Sequence, residues 1–375
     1  MAARSFSLAV DRPGRFVRAF ADAVRSQPGT RFALVLLSGE LAAKAEAVAS
    51  ELSAAGLEIP MLLATGSGVL TEKGELDGPS AGVGLAFSQG QATALVGQHE
   101  DVSDAVQQLA VSLRGGPARR TAIVFARARG ADSRSFEPLA ALDRVTVLGA
   151  GCPGDAPVFA IDERGGVEGG PAGALVTRGL APAHVRSSPA CRLLMQPTTV
   201  TESRGPLVLR LAGEPALQVL RSVAANLEGQ PLLLTALAPP EGADEAPGSA
   251  ILVRGIQGVD PSREGVMLSE EVEPGQRLAF AVRDPEAARK DLEETVRELS
   301  RELAGAAPLA GLYFDCAGRG TQLYGASGVD LRLLRARFPD LPLIGMRSAF
   351  ELAPHRGRPA LHSFTGVLGL FTNPS

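Results

Sequence analysis

The chain has 375 residues, 45% hydrophobic and 21% charged, which is enough apolar material for one large or two medium domains, and two are expected. A formal net charge of −4 with no sustained run of one sign argues against a nucleic-acid surface, and with no Trp and two Tyr the stacking platforms for single strands are missing. Charges interrupt the first residues, no segment approaches the roughly 20 apolar residues of a membrane span, and Cys152, Cys191 and Cys316 are too scattered for a disulfide framework, so a cytoplasmic location with reduced thiols and no membrane partner is expected.

In chain order, the stretch FVRAFADAVRS puts Phe16, Val17, Phe20 and Val24 on one helical face, a lead-in helix within residues 1–29. RFALVLL at 31–37 has the pattern of a buried strand. The helix ELAAKAEAVASELSAAG closes at Gly56, and the strands IPMLLA and AGVGLAF follow, separated by a Gly-containing turn. The same order returns between about 102 and 178: helix DAVQQLAVSLRG, strand TAIVFAR, the short connection SFEPLAALD, then strands VTVLGA and AGALVT. It returns again in AARKDLEETVRELSRELAG, LAGLYFD, VDLRLLRARFP, LPLIGM and TGVLGLF. First and second strands of each copy are separated by roughly 24 to 33 residues, room for the crossover that joins parallel strands. Alternation in the closing strands fits antiparallel additions.

Residues 190–282 read differently, with strands PLVLRLAG, SAILVRGI and RLAFAVRD and the amphipathic helix EPALQVLRSVAANL. The Pro- and acid-rich stretch 236–249 is expected to be an exposed loop. The fold class that follows is α/β, with mixed β-sheets flanked by helices in two domains built on recurring strand-helix-strand-strand units.

Four stretches carry a family resemblance: CRLLMQPTTVTESRGPLVLRLAGEPALQVL; ILVRGIQGVDP with LAFAVRDPEAARKDL; YFDCAGRGTQLYG; and LHSFTGVLGLF. Their order over roughly residues 30 to 370 resembles the FIST domain, with 30–205 as its N-terminal and 206–375 as its C-terminal region. The chain departs from the family pattern at two loops: ATGSGVLTEKGE lacks the cysteine of the usual Gly-Cys-Ser loop, and SAFELAP keeps Glu351 but loses the glycine of a Gly-Glu-Ile loop. The resemblance implies a sensory protein of intracellular signal transduction that binds a small molecule such as an amino acid; such proteins usually carry a separate transmitter, and this chain is expected to signal through a separate partner protein, to act as a soluble receptor, or to have another role. Some members of the family resemble haem-based nitric-oxide sensors.

In open α/β sheets ligands sit beyond the carboxyl ends of strands. After the first strands these loops contain Ser38-Gly39-Glu40, Ala128-Arg129-Gly130 and Asp315 to Gly320; after the second, Thr65 to Gly68, Gly151 to Asp155 and Arg347 to Glu351. Glycine lets backbone approach a ligand, and Arg offers a planar fork for a carboxylate, so the expected ligand-binding set is Cys316, Gly318, Arg319 and Gly320, with Arg283 and Glu351 as further polar walls. The bland alternative gives the glycines to turns and Arg319 to a structural salt bridge. A thiolate at Cys316 would make an enzyme acting on a small anion, but no His is assigned to it as base and no catalytic residue is expected. His99, His184, His355 and His362 form no metal spacing, so no metal site and no cofactor are expected, with His184, His355 and His362 the nominal axial ligands were haem to bind.

Overall fold

The computed structural model describes residues 2–76, 78–115, 118–225, 227–229, 231–239 and 251–374. A first unit contains β1 (Ala3–Ala9), α1 (Pro13–Arg25), β2 (Phe32–Ser38), α2 (Gly39–Ala43), α3 (Ala45–Ala54), β3 (Met61–Thr65), the hairpin β4 (Gly68–Thr71) and β5 (Gly74–Leu76), and β6 (Ser80–Phe87). A second repeats the plan with β7 (Gln91–Gly97), α4 (Val102–Leu113), β8 (Arg120–Arg127), a 3-10 segment (Arg134–Ala141), β9 (Val145–Cys152), the hairpin β10 (Val158–Ile161) and β11 (Val167–Gly170), and β12 (Ala172–Arg178). A third begins with β13 (His184–Pro189) and is interrupted. The interruption comprises β14 (Cys191–Leu193), β15 (Thr198–Arg204), β16 (Leu207–Leu211), β17 (Glu214–Pro215), α5 (Ala216–Ala224), β18 (Leu233–Ala238), β19 (Leu252–Asp260), β20 (Gly265–Leu268) and β21 (Arg277–Arg283). The third unit then resumes with α6 (Pro285–Glu302), β22 (Ala310–Cys316), α7 (Thr321–Tyr324), α8 (Val329–Arg337), β23 (Leu343–Ser348), the hairpin β24 (Glu351–His355) and β25 (Arg358–His362), and β26 (Thr365–Phe371).

In each unit the two strands joined by the central crossover pair in parallel, β2 with β3, β8 with β9 and β22 with β23, and the closing strand pairs antiparallel with the earlier of the two. The hairpins do not stay at home. β10–β11 completes the sheet of β3, β24–β25 that of β9, and β4–β5 that of β23. Three six-stranded sheets of one design result, tied by a cyclic exchange of hairpins. The expected recurrence is thus present, with outer strands β1, β7 and β13 and the exchanged hairpins added to it; the lead-in at 1–29 holds a strand as well as its helix.

Strands buried on both faces need apolar residues at every position, and alternation decides which core each one enters. Phe32, Leu34 and Leu36 join Phe125, Leu148, Leu312, Phe314, Ile344 and Phe371 in one central core shared by all three sheets. Their neighbours Ala33, Val35 and Leu37 face α1 and α3, where Phe16, Val17, Phe20 and Val24 are buried as the helical spacing requires. The outer face of the second sheet is covered by α4 and the 3-10 segment, and that of the third by α6 and α8. At two matching points the parallel strands approach so closely that only glycine fits: a Cβ on Gly149 would lie 1.7 Å from the Val124 carbonyl oxygen, and one on Gly345 1.8 Å from that of Tyr313.

The interrupting segment is a small antiparallel barrel. β21, β15, β16, β20, β19 and β18 form a ring that closes where β18 pairs with β21. It has its own core of Val200, Val208, Leu211, Leu217, Val266, Leu278 and Phe280. The chain enters and leaves it side by side, with Cys191 paired to Arg283 and the Asp284 amide donating to the Ala190 carbonyl at 3.3 Å. The expected loop at 236–249 begins later than its composition suggests, because Ala236 to Ala238 continue β18 against β21; residues 240–250 lie outside the described residues.

Candidate functional site

The loops after the second strands meet. The Ser67 amide donates to the Arg347 carbonyl at 2.9 Å, the Gly151 amide to that of Phe350 at 2.7 Å, and the Ala349 amide to that of Gly151 at 3.0 Å. Their polar side chains form a buried plug in which Thr65 lies against the Cys152 thiol and the Ser348 hydroxyl donates to Glu351 Oε1 at 2.9 Å. Burial holds the Glu351 carboxyl well above its usual range, and Glu351 Oε2 has no hydrogen-bond partner. Exposed Arg129 and Asp155, from two loops of the second unit, pair with each other at 3.1 Å.

At the end of β22 the sequence Asp-Cys-Ala-Gly-Arg-Gly distributes its side chains among three environments. Arg319 is 1% exposed and holds a carboxylate with its fork, but that carboxylate is Asp330 at the start of α8, at 2.8 Å from Nε and 3.2 Å from Nη2. Nη1 donates to the Ser188 carbonyl at 3.0 Å and Nη2 also to the Tyr324 hydroxyl at 3.0 Å. Asp330 accepts from Tyr313 at 2.7 Å and Tyr324 at 2.6 Å. Burial opposes charge on Asp330, yet Arg319 and these donors keep its carboxyl below the ordinary range. Arg319 therefore occupies a structural ion pair joining β22, α8 and β13, with its fork facing inward. The Asp330, Tyr313 and Tyr324 partners carried no sequence signal, since nothing in their spacing pointed at Arg319.

Gly320 packs against a second arginine. A Cβ there would meet Arg347 Nη2 at 2.6 Å, and Arg347 pairs with Glu75 on the hairpin β4–β5. Asp315, 2% exposed, has Oδ1 without a partner, and burial together with nearby Asp330 pushes its carboxyl up to about 8.

Arg283, Cys316 and Gly318 are brought together. Arg283 ends the barrel's last strand and lies on Gly318, where a Cβ would sit 2.9 Å from Nη2 and 3.2 Å from Cζ. A side chain at position 318 would collide with Arg283, so this contact requires glycine there. Arg283 is partly buried, its Nε is shielded from solvent without a hydrogen-bond partner, and among the described residues it pairs with no carboxylate. Burial and neighbouring Arg319 lower its basicity, while the adjacent Cys316 acts in the opposite sense. The Cys316 thiol is itself pushed up to about 11, by burial first and then by Glu351, and so stays protonated at neutral pH. Glu351, part of the buried plug, bears on this group through its charge on the Cys316 thiol.

His184 lies 3.6 Å from Glu302, and buried His362 has Nε2 3.3 Å from the Ala353 carbonyl oxygen. His355 borders a cleft beside the barrel. Among the described residues no group of His, Cys, Asp and Glu is placed to hold a metal ion, and no helix is long and apolar enough to cross a membrane.

An α/β body in three sheets, an inserted barrel, and a half-buried arginine at their junction define the architecture of this chain. The FIST N domain matches residues 31–214 and the FIST C domain residues 216–354, and the chain belongs to the FIST family, whose domains are sensory domains of signal transduction. The change from one region to the other falls at β17 and α5, inside the barrel. The chain is similar to an uncharacterized protein of Mycobacterium tuberculosis, 35% identical over 192 residues, and to one of Mycobacterium bovis, 36% identical over 192 residues. Each match covers 50% of either chain, so this chain spans about half the length of the curated relatives it matches.

Proposed function

We propose that the chain is a cytoplasmic sensory protein that binds a small anionic ligand, amino-acid-like in carrying a carboxylate, at the crease where Arg283 lies over Gly318 beside Cys316. The observation that carries this reading is the unpaired Arg283 guanidinium. A half-buried cation without a counter-charge costs stability, and a ligand carboxylate held by its free N–H groups removes that cost. Since Arg283 belongs to the barrel and Gly318 to the body, a bound anion would bridge the two, a natural way to pass a signal to a separate partner protein.

The reading is one of sensing without turnover. A protonated, half-covered thiol at Cys316 is a poor nucleophile. It assigns no resident cofactor, and the purified protein should show no Soret band before or after incubation with haemin.

Thermal-shift measurements with a panel of amino acids and small carboxylates test it. At least one carboxylate should raise the melting temperature of the wild type and leave Arg283→Ala unmoved. An unchanged response in Arg283→Ala would refute the site, and consumption of the stabilising compound would refute the non-catalytic reading.

A further inference from the structure

A second seam between barrel and body lies along the hairpin β24–β25 and shares no residue with the crease at Arg283. It is an open cleft of about 670 Å3, large enough to seat a small organic molecule. Leu237, Pro239 and Leu252 of the barrel form one wall, and His355, Arg356 and Arg358 at the hairpin tip form the other. The acidic lining residue Glu270 is already committed, at 2.6 Å from Arg254 and hydrogen-bonded to Ser133. Among the described residues neither Arg356 nor Arg358 has a carboxylate within ion-pair distance. The cleft thus sets an apolar face opposite two uncommitted guanidinium groups.

The backbone of the tip fixes where Arg356 stands. His355 and Arg358 pair across the hairpin, leaving the two-residue turn Arg356–Gly357 with φ of +52° and +77°. Tight turns of this kind take Asn, Asp or Gly at their first position, because a side chain with a full Cβ and stem is strained there. Arg356 takes the left-handed first position of this turn, as Ala212 does in the turn Ala212–Gly213, and it borders the cleft.

We propose that this cleft is a second binding site, for an amphipathic small anion whose apolar body lies on Leu237 and Leu252 and whose acid group is held by Arg356 and Arg358. Anilinonaphthalene sulfonate, an apolar dye with one anionic group, is a suitable probe. Its fluorescence should rise saturably with the wild type, and Arg356→Gly or Arg358→Ala should each weaken its binding by roughly tenfold, the effect of losing one charge-assisted contact. Arg356→Gly should also raise the melting temperature by roughly 2 °C, because glycine relieves the left-handed strain. Weaker binding together with greater stability separates a lost site from a lost fold, and Arg358→Ala, at an ordinary strand position, keeps the test readable should Arg356→Gly fold poorly. Arg283→Ala should leave the dye titration unchanged whether or not the crease binds a carboxylate. No saturable enhancement with the wild type, or undiminished binding by the double variant Arg356→Gly/Arg358→Ala, would overturn the proposal, as would loss of dye binding in Arg283→Ala.

Discussion

Asp315 shows how much a single buried carboxyl can govern. Its folded value of about 8 lies above the roughly 4 expected of an unfolded aspartate, so the folded state keeps a proton that the unfolded state releases. Its contribution to stability is full below about pH 4 and is lost as pH rises towards about 8. Asp315→Asn imitates the protonated acid and removes that dependence. Calorimetry should find its melting temperature above that of the wild type at pH 8 and close to it at pH 4; an equal difference at both values would show that Asp315 titrates normally. At this scale the sequence was informative about backbone and less so about side-chain partners. The Cys-x-Gly-Arg-Gly spacing placed Gly318 and Arg319 together in one loop, whereas the partner that saturates Arg319 comes from the start of α8 and the cation that remains unpaired comes from another strand altogether.

Elements with strong local signals were legible. The helical face of Phe16, Val17, Phe20 and Val24 and the doubly apolar strand at 32–38 need no tertiary information to be read. The hairpins were not, because β4–β5 and β24–β25 have strands of three to five residues whose partners belong to other units. Nothing nearby in sequence completes their pattern, so a Gly-containing stretch such as GSGVLTEKGE reads as a turn. Their attachment rests on a few identifiable contacts. Glu75 of β5 pairs with Arg347 of β23 and also accepts from the Gly328 amide at 3.0 Å, with the Glu75 side chain 7% exposed and that of Arg347 21%. Glu75→Ala leaves Arg347 largely buried and unpaired, and should cost about 3 kcal/mol in urea unfolding, the range for breaking one side of a buried pair. A loss below about 1 kcal/mol would mean that the hairpin is held by apolar packing alone.

For the whole molecule, the threefold recurrence was the most readable property, because a repeated order of elements survives the divergence of individual residues. The barrel was legible only as a change of texture. Its two ends leave the body adjacent and paired, at Ala190 with Asp284 and Cys191 with Arg283, so the body does not depend on it for a connection. Replacing residues 191–283 by a short Gly/Ser linker should leave a soluble body with one cooperative thermal transition and unchanged far-ultraviolet signatures of its helices. The same excision should abolish the carboxylate response that depends on Arg283. A molten, aggregating product would show that the barrel is part of the body's folding unit.

The cyclic exchange of hairpins also sets an order of events during synthesis. When β4 and β5 leave the ribosome, the strand they will join does not yet exist: Glu75 must wait for Arg347, 272 residues later. β3 waits in the same way for β10, and β9 for β24. The first and second sheets are therefore each left for a time with an open edge, and β4–β5 with no sheet to join, and unpaired edges invite other nascent chains. The nascent protein would be most vulnerable while its first two units are complete and its third is still to come, the interval lengthened by translation of the barrel.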